Sequence, residues 1–274
     1  MKKILITGNS GYIGSHLTKM LQDEYEVHGL DINPPVIEPK VHNTIDIRRQ
    51  FLLADEYDAV IHLAALVKVG ESEQIPIQYY ITNLNGTMNL INKVRTKNFI
   101  FASTGAADLC GSAYGISKRA AEDVVREFCT DHRPTPYTIF RFYNVIGSTV
   151  VAPTNPDGLM YNLMKAKETG EFTIFGTDYE QSVDGTCVRD YVHVNEICDA
   201  LKQAIEKPSN SVECLGHGVG YTVNEIVNLF QKVNDCDFDI IKGPKRKGDL
   251  PISVLEDVSP YMRNLYTMDE LLKV

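Results

Sequence analysis

KILITGNSGYIGSHLTKMLQ, residues 3–22, runs from a short apolar stretch through closely spaced glycines into a periodic one. Lys3–Thr7 reads as a buried strand, and Ile13, Leu17, Met20 and Leu21 recur at the spacing of one helix face. Gly8, Gly11 and Gly14 stand between them, spaced three and three. Glycine lets a backbone turn tightly and approach a pyrophosphate, while a helix N-terminus adds N–H donors and positive partial charge. The next apolar run, EVHGL, ends at Asp31, an acid suited to ribose hydroxyls and repulsive to an extra phosphate. The glycine spacing alone would mean little in a chain with 19 glycines. Its order of strand, turn, helix and acid points to a dinucleotide site, with NAD as the cofactor.

The same rhythm continues outward. NTIDI, DAVIHLAA, NFIFAST and YTIFRFYNV read as further strands, separated by helical stretches at 76–95 and 112–131. Apolar strands without a polar face, alternating with helices, predict a doubly wound parallel sheet covered on both sides. The fold class is therefore α/β of the Rossmann type, in residues 1–145, with a segment near 187–207 able to return to it. After the loop GSTVVAPTNPDG at 147–158, residues 146–274 read as a smaller α/β lobe. Its strands are FTIFG, VECLG and DFDII, and its helices lie near 158–169, 194–206 and 222–234.

A net charge of −9 argues against a nucleic-acid or anionic-membrane binder, both of which favour a basic face. No apolar run reaches the length of a membrane span, and MKK leads directly into ILITG without a signal-peptide pattern. Six cysteines show no C-x-x-C and no paired metal spacing. Free thiols in the cytoplasm and no metal are the expectation.

AYGISK, residues 113–118, places Tyr114 one helical turn before Lys118. Chance alone produces about one Tyr-x-x-x-Lys in a chain of this composition. A second instance is Tyr161 with Lys165. Position separates them: Tyr114 follows the fifth strand, whereas Tyr161 lies in the second lobe, away from the strand ends where doubly wound sheets build sites.

Glycine spacing followed by Tyr-x-x-x-Lys resembles the extended short-chain dehydrogenase/reductase superfamily. HLAALVKVGES (62–72), NLNGT (83–87), RFYNVIG (141–147), DGTCVRDYVHV (184–194) and KRKGDLP (245–251) narrow the resemblance to UDP-galactose (UDP-hexose) 4-epimerases, over nearly the whole chain. The resemblance implies Tyr114, Lys118 and Thr104 as the catalytic set. For NAD it implies Gly8, Gly11, Tyr12, Ile13, Gly14, Asp31, Asp46, Ile47, Leu63, Ala64, Ala65 and Asn83, together with Tyr114 and Lys118. For a UDP-sugar it implies Asn144, Arg189, Arg246, Asp249 and Ser253, besides Thr104 and Tyr114. His193 reads as packing. The implied activity is redox-neutral 4-epimerisation through a transient 4-keto sugar, by a homodimer built on the helices at 76–95 and 112–131. Tyrosine as base requires its pKa of about 10 to fall toward about 7, or roughly 4 kcal/mol of phenolate stabilisation, for which Lys118 is one expected source.

The sequence also departs from the family. Val67 takes the usual lysine position, with Lys68 one later; Thr104 and Tyr114 are unusually close; Asp157 and Gly158 replace an asparagine pair; and MDELLKV stops early. Gly105, Ala106 and Ala107 follow Thr104 where related dehydratases carry acids, although Asp108 is near. Ser253 matches a position often held by tyrosine, which predicts tolerance of 2-acetamido sugars. A reductase, decarboxylase or dehydratase of the same fold, or a silent NAD-binding protein, are the competing readings.

Overall fold

The computed structural model describes residues 1–246 and 249–274; Lys247 and Gly248 of the KRKGDLP segment lie outside the described residues. Strands β1 (Lys3–Thr7), β2 (Glu26–Asp31), β3 (Val41–Thr44), β4 (Ala59–His62), β5 (Phe99–Thr104) and β6 (Tyr137–Phe142) pair in the order β3-β2-β1-β4-β5-β6. Each of these neighbouring pairs is parallel. Ile4, Leu5, Ile6, Val60, Ile61 and Ile100 are fully buried, as strands covered on both faces must be. The chain order reverses between β1 and β4, the place where open α/β sheets hold ligands beyond their carboxyl ends.

Helices α1 (Tyr12–Leu21), α2 (Val69–Gln74), α3 (Pro76–Tyr79), α4 (Gly86–Lys93), α5 (Ala106–Leu109) and α6 (Ala113–Glu127) cover this sheet. Ser112 starts α6 by accepting the Gly115 N–H at 3.2 Å, which satisfies a donor the helix itself leaves unused. The stretches expected as plain helices at 76–95 and 112–131 each contain a wider π-turn segment, at Tyr80–Asn85 and Phe128–His132. Such wide turns arise where a residue must be re-aimed, and buried Asn83 lies within the first. NTIDI is shifted as well: β3 ends at Thr44, so Asp46 and Ile47 follow the strand. VECLG, expected in the second lobe, instead runs as Val212–Leu215 along the free side of β6, with the Ile139 N–H donating to Ser211 O.

The chain forms two compact units, Met1–Phe142 with Cys198–Glu213, and Tyr143–Ile197 with Cys214–Val274. The core of the first gathers Leu5, Leu30, Val60, Leu90, Phe99, Phe101, Ala121, Val125 and Ile139. In the second, Val188–His193 pairs in parallel with Asn144–Ile146 and Ile252–Ser253, and antiparallel with Gly220–Thr222. Glu171–Phe175 and Asp239–Gly243 make a separate parallel ladder. Met160, Leu163, Phe172, Tyr191, Phe230 and Leu271 fill this unit's core. Thr222 caps the helix Val223–Val233 through a reciprocal pair of bonds with Glu225.

Candidate active site

The glycine turn closes at the switch point of the sheet. Gly8 adopts φ +76°, and a side chain there would meet Ala64 N at 2.8 Å, so the ends of β1 and β4 approach backbone to backbone. A Cβ on Gly14 would fall 2.1 Å from Gly8 O, so only glycine lets α1 begin this close to the turn. The Asp31 carboxylate accepts Ser10 N–H at 3.1 Å and Asn33 N–H at 2.9 Å, which holds the acid beside the loop. This cradle, with a helix N-terminus above it and an oriented acid at its side, fits a dinucleotide. Leu63 and Ala64 are held by Thr7, through its carbonyl at 3.0 Å and its hydroxyl at 3.3 Å, and Ala65 follows them.

Other residues expected at this site reach it less directly. Asn83 is buried and donates to Leu66 O and Ser117 Oγ while accepting Leu66 N–H, so it fixes backbone near the strand exit and ties it to α6. Asp46 is held by Arg48 through bonds of 2.9 and 2.8 Å, which keep its carboxyl below the usual range. Ile47 is a core residue packed against Gly86. Tyr12 and Ile13 open α1 half-buried.

Tyr114 and Lys118 occupy the inner face of α6, only 9% and 4% exposed, whereas Lys165 of the second Tyr-Lys pair is exposed. The Thr104 side chain lies beside the Tyr114 phenol. Burial raises the Tyr114 pKa above its ordinary value, and Thr104 opposes this. The expected lowering by Lys118 is therefore not realised in the protein by itself: a dry pocket penalises the phenolate more than its neighbours favour it. Lys118 pays the converse penalty, its pKa falling to about 7 through burial, with Glu122 opposing. Its Nζ lies 4.1 Å from the centre of the Phe101 ring, whose negative face favours an ammonium. Beneath it, His62 bridges Thr7 and Thr87 at 2.7 and 2.9 Å and is pushed down to about 3 by burial, so it stays neutral.

The second unit gathers the residues expected to bind nucleotide. Arg189 lies in register with Ser253 on the neighbouring strand, and its guanidinium is 3.9 Å from Asp249. The Arg246 guanidinium rests 4.2 Å above the Phe175 ring. Asn144 is turned inward, donating to Asp190 O at 2.9 Å. His193 stacks on Tyr266 at 4.0 Å and is buried, as a packing residue should be. Among the described residues no cluster of His, Cys, Asp or Glu could hold a metal, and no helix is long and apolar enough to cross a membrane.

A sequence model described as the NAD dependent epimerase/dehydratase family matches residues 4–218. The chain belongs to this family. Two similar members are the UDP-glucose 4-epimerases of Bacillus subtilis (strain 168) and Lactobacillus helveticus. The first is 31% identical over 296 residues, covering 90% of this chain and 86% of the relative. The second is 32% identical over 299 residues, covering 93% and 88%. The crystal structure of UDP-glucose 4-epimerase from Thermotoga maritima with UDP-glucose superposes with a TM-score of 0.85 at 29% identity, covering 99% of this chain and 96% of that one. The enzyme from Bifidobacterium longum, in complex with NAD+ and UDP, shares the fold with a TM-score of 0.87 at 24% identity, covering 98% and 96%.

In this family member, several residues around Tyr114 carry no motif and escape sequence reasoning. Tyr79 sets its ring edge-on to Tyr114 at 6.3 Å and donates to Lys68 O and shares a bond with Glu71. This anchors the segment where Val67 and Lys68 depart from the family pattern; Lys68 pairs with Glu71. Phe101 and Glu122 likewise read as ordinary strand and helix residues until the fold brings them to Lys118, and Arg141 until it meets Glu122. In the second unit, Phe175 was signalled only as part of a strand.

Proposed function

We propose that this protein interconverts UDP-hexoses at carbon 4, UDP-glucose and UDP-galactose first, with NAD as a resident cofactor. The observation that carries this reading is buried Tyr114 beside Thr104, one turn before buried Lys118, in a chain about 30% identical to UDP-glucose 4-epimerases. Gly8, Gly11, Gly14 and Asp31 would hold the cofactor, with Lys118 on its ribose. NAD supplies reversible hydride acceptance. Thr104 binds the sugar 4-oxygen, and Tyr114, as phenolate, takes its proton while carbon 4 becomes a ketone. The sugar turns, Tyr114 returns the proton, and the product is an isomer of unchanged mass. Lys118 stabilises the phenolate charge. In the second unit Arg189 and Arg246 pair with the pyrophosphate oxygens, Asp249 accepts ribose hydroxyls, and Asn144 orients the substrate.

Asp108, the acid nearest to the missing dehydratase position, is paired with Arg141, which speaks against a dehydratase. Incubating the protein with NAD and UDP-glucose, and identifying the product by mass and NMR, tests the reading. UDP-galactose is expected; loss of water, loss of carbon dioxide or an unchanged substrate would overturn it.

Ser253, in register with Arg189, has a small side chain where a tyrosine would be bulky, and this supports acceptance of the N-acetyl forms as well. Ser253→Tyr should cut turnover of UDP-N-acetylglucosamine at least tenfold and leave UDP-glucose within about threefold. Equal losses on both sugars would remove this assignment. Exposed Ile77, Met88 and Ile116 on α3, α4 and α6 support a homodimer, which sedimentation of the purified protein checks. The six cysteines are all unpaired thiols, in keeping with work in the cytoplasm.

A further inference from the structure

The short connection between Thr104 and Tyr114 is closed by a charge cluster, buried at Glu122 and Arg141, that the reaction above does not use. Glu122 lies one helical turn beyond Lys118 on α6 and is fully buried. Arg141, itself 8% exposed, lies on β6 in register with Ser103. Its Nε and Nη2 donate to the two oxygens of Glu122 at 2.9 and 2.6 Å, and its Nη1 pairs with Asp108 of α5. Ser103, the residue before Thr104, adds its hydroxyl to the same Glu122 carboxylate. One guanidinium thus ties together the strand end carrying Thr104, the connection carrying α5, and the helix carrying Tyr114 and Lys118.

We propose that Glu122 and Asp108, joined through Arg141, are positioning residues that hold Lys118 and Thr104 in mutual register. This rests on reading Lys118 as part of the reacting site. A buried ion pair seldom stabilises a fold more than well-packed apolar groups would, so a purely structural anchor gains little from this chemistry. What it adds is a fixed negative charge one turn from Lys118. The other groups around Lys118 cannot replace it. His62 of β4 is neutral, Phe101 of β5 and Tyr79 of α3 are uncharged rings, and Asn83 is bonded to Ser117. Glu71 of α2 is tied to Tyr79 and Lys68, and Glu73 of α2 accepts the Ala113 N–H.

The test uses the full chain with NAD, in wild-type, Glu122→Gln, Asp108→Asn and Asp108→Glu forms. The Lys118 ammonium is followed by NMR of side-chain-labelled lysine, and kcat and KM are measured on UDP-glucose. Glu122→Gln should make Lys118 lose its proton at about tenfold lower alkalinity and lower kcat about tenfold or more, with KM nearly unchanged. Asp108→Asn should lower kcat about threefold at constant KM, and Asp108→Glu should restore it. A folded Glu122→Gln protein with unaltered Lys118 titration overturns the proposal. If that variant does not fold, half-exposed Asp108 decides: an unchanged kcat in Asp108→Asn overturns it equally. A lysine shift in the Glu122→Gln variant, together with a wild-type protein that makes no isomer, would instead defeat the epimerase reading.

Discussion

At the scale of single residues, Tyr114 faces opposed demands. It must be dry to act on a hydride-transferring substrate, yet burial raises its pKa and favours the phenol over the phenolate. Thr104 offsets this in part, and Lys118, poised at about 7, changes charge near neutrality. Activation therefore belongs to the assembled site, in which positive charge is added beside the phenol. Tyr114→Phe removes one oxygen and leaves the ring against Tyr79, so folding and NAD binding should survive. Turnover of UDP-glucose should fall about 10³-fold, as expected when a positioned general base is lost. Product formation by NMR and NAD retention after dialysis measure the two effects separately. Turnover within a few fold of wild type would dismiss Tyr114 as the base. Lys165→Ala, at the exposed lysine of the second Tyr-Lys pair, should change neither.

At the scale of elements, the glycine turn carries the most restrictive geometry. The 2.1 Å approach of a Gly14 Cβ to Gly8 O cannot be relieved by a side-chain rotation, because both sides are backbone. Gly14→Ala should push α1 away from the turn, with a stability cost of about 1–3 kcal/mol. NAD affinity should drop at least tenfold, read by isothermal titration of the purified variant; an unaltered affinity would show that the turn does not cradle the cofactor. This element was legible in the sequence because each of its requirements is local: glycine at a fixed spacing, an apolar strand before it, a periodic helix after it. The sheet was legible for the same reason, its strands being apolar on both faces. The π-turn at Tyr80–Asn85 was not, because it depends on Asn83 reaching Leu66 and Ser117 across the fold. Phe101 beneath Lys118 looks in sequence like any core aromatic, and Glu122 like one more acid on a solvated helix face. Only long-range packing assigns them. Residues of the second unit were readable through resemblance rather than through local physics, since a single Arg or Asp has no periodicity to betray it.

At the scale of the whole molecule, His16 and His62 of the first unit and His217 of the second are in opposite electrostatic settings. In the first unit, His62 and His16 are held neutral by burial, with pKa values below the usual 6.5. Their unfolded forms bind protons that the folded forms refuse, so this unit loses stability as pH falls below about 6.5. In the second unit, His217 donates to Glu196 at 2.8 Å, which raises the histidine and lowers the acid. Glu196 also accepts the His193 and Leu265 N–H groups, so the pair fastens three segments of that unit. A raised histidine contributes fully below its unfolded value and loses its contribution as pH climbs through the folded one. Lowering the pH from about 7.5 to about 5.5 should therefore weaken the first unit, by about 1.4 kcal/mol from His62 alone, and strengthen the second. Glu196 remains ionised across this window, because its pKa is held below 4.5. Hydrogen exchange resolved by peptide should show protection falling in β1, β4 and α6 while it rises in 188–197 and around His217. In His217→Gln the second response should vanish and the first persist. Parallel changes in both units, or an unaltered response in that variant, would mean that the His217–Glu196 pair does not govern the pH dependence of the second unit.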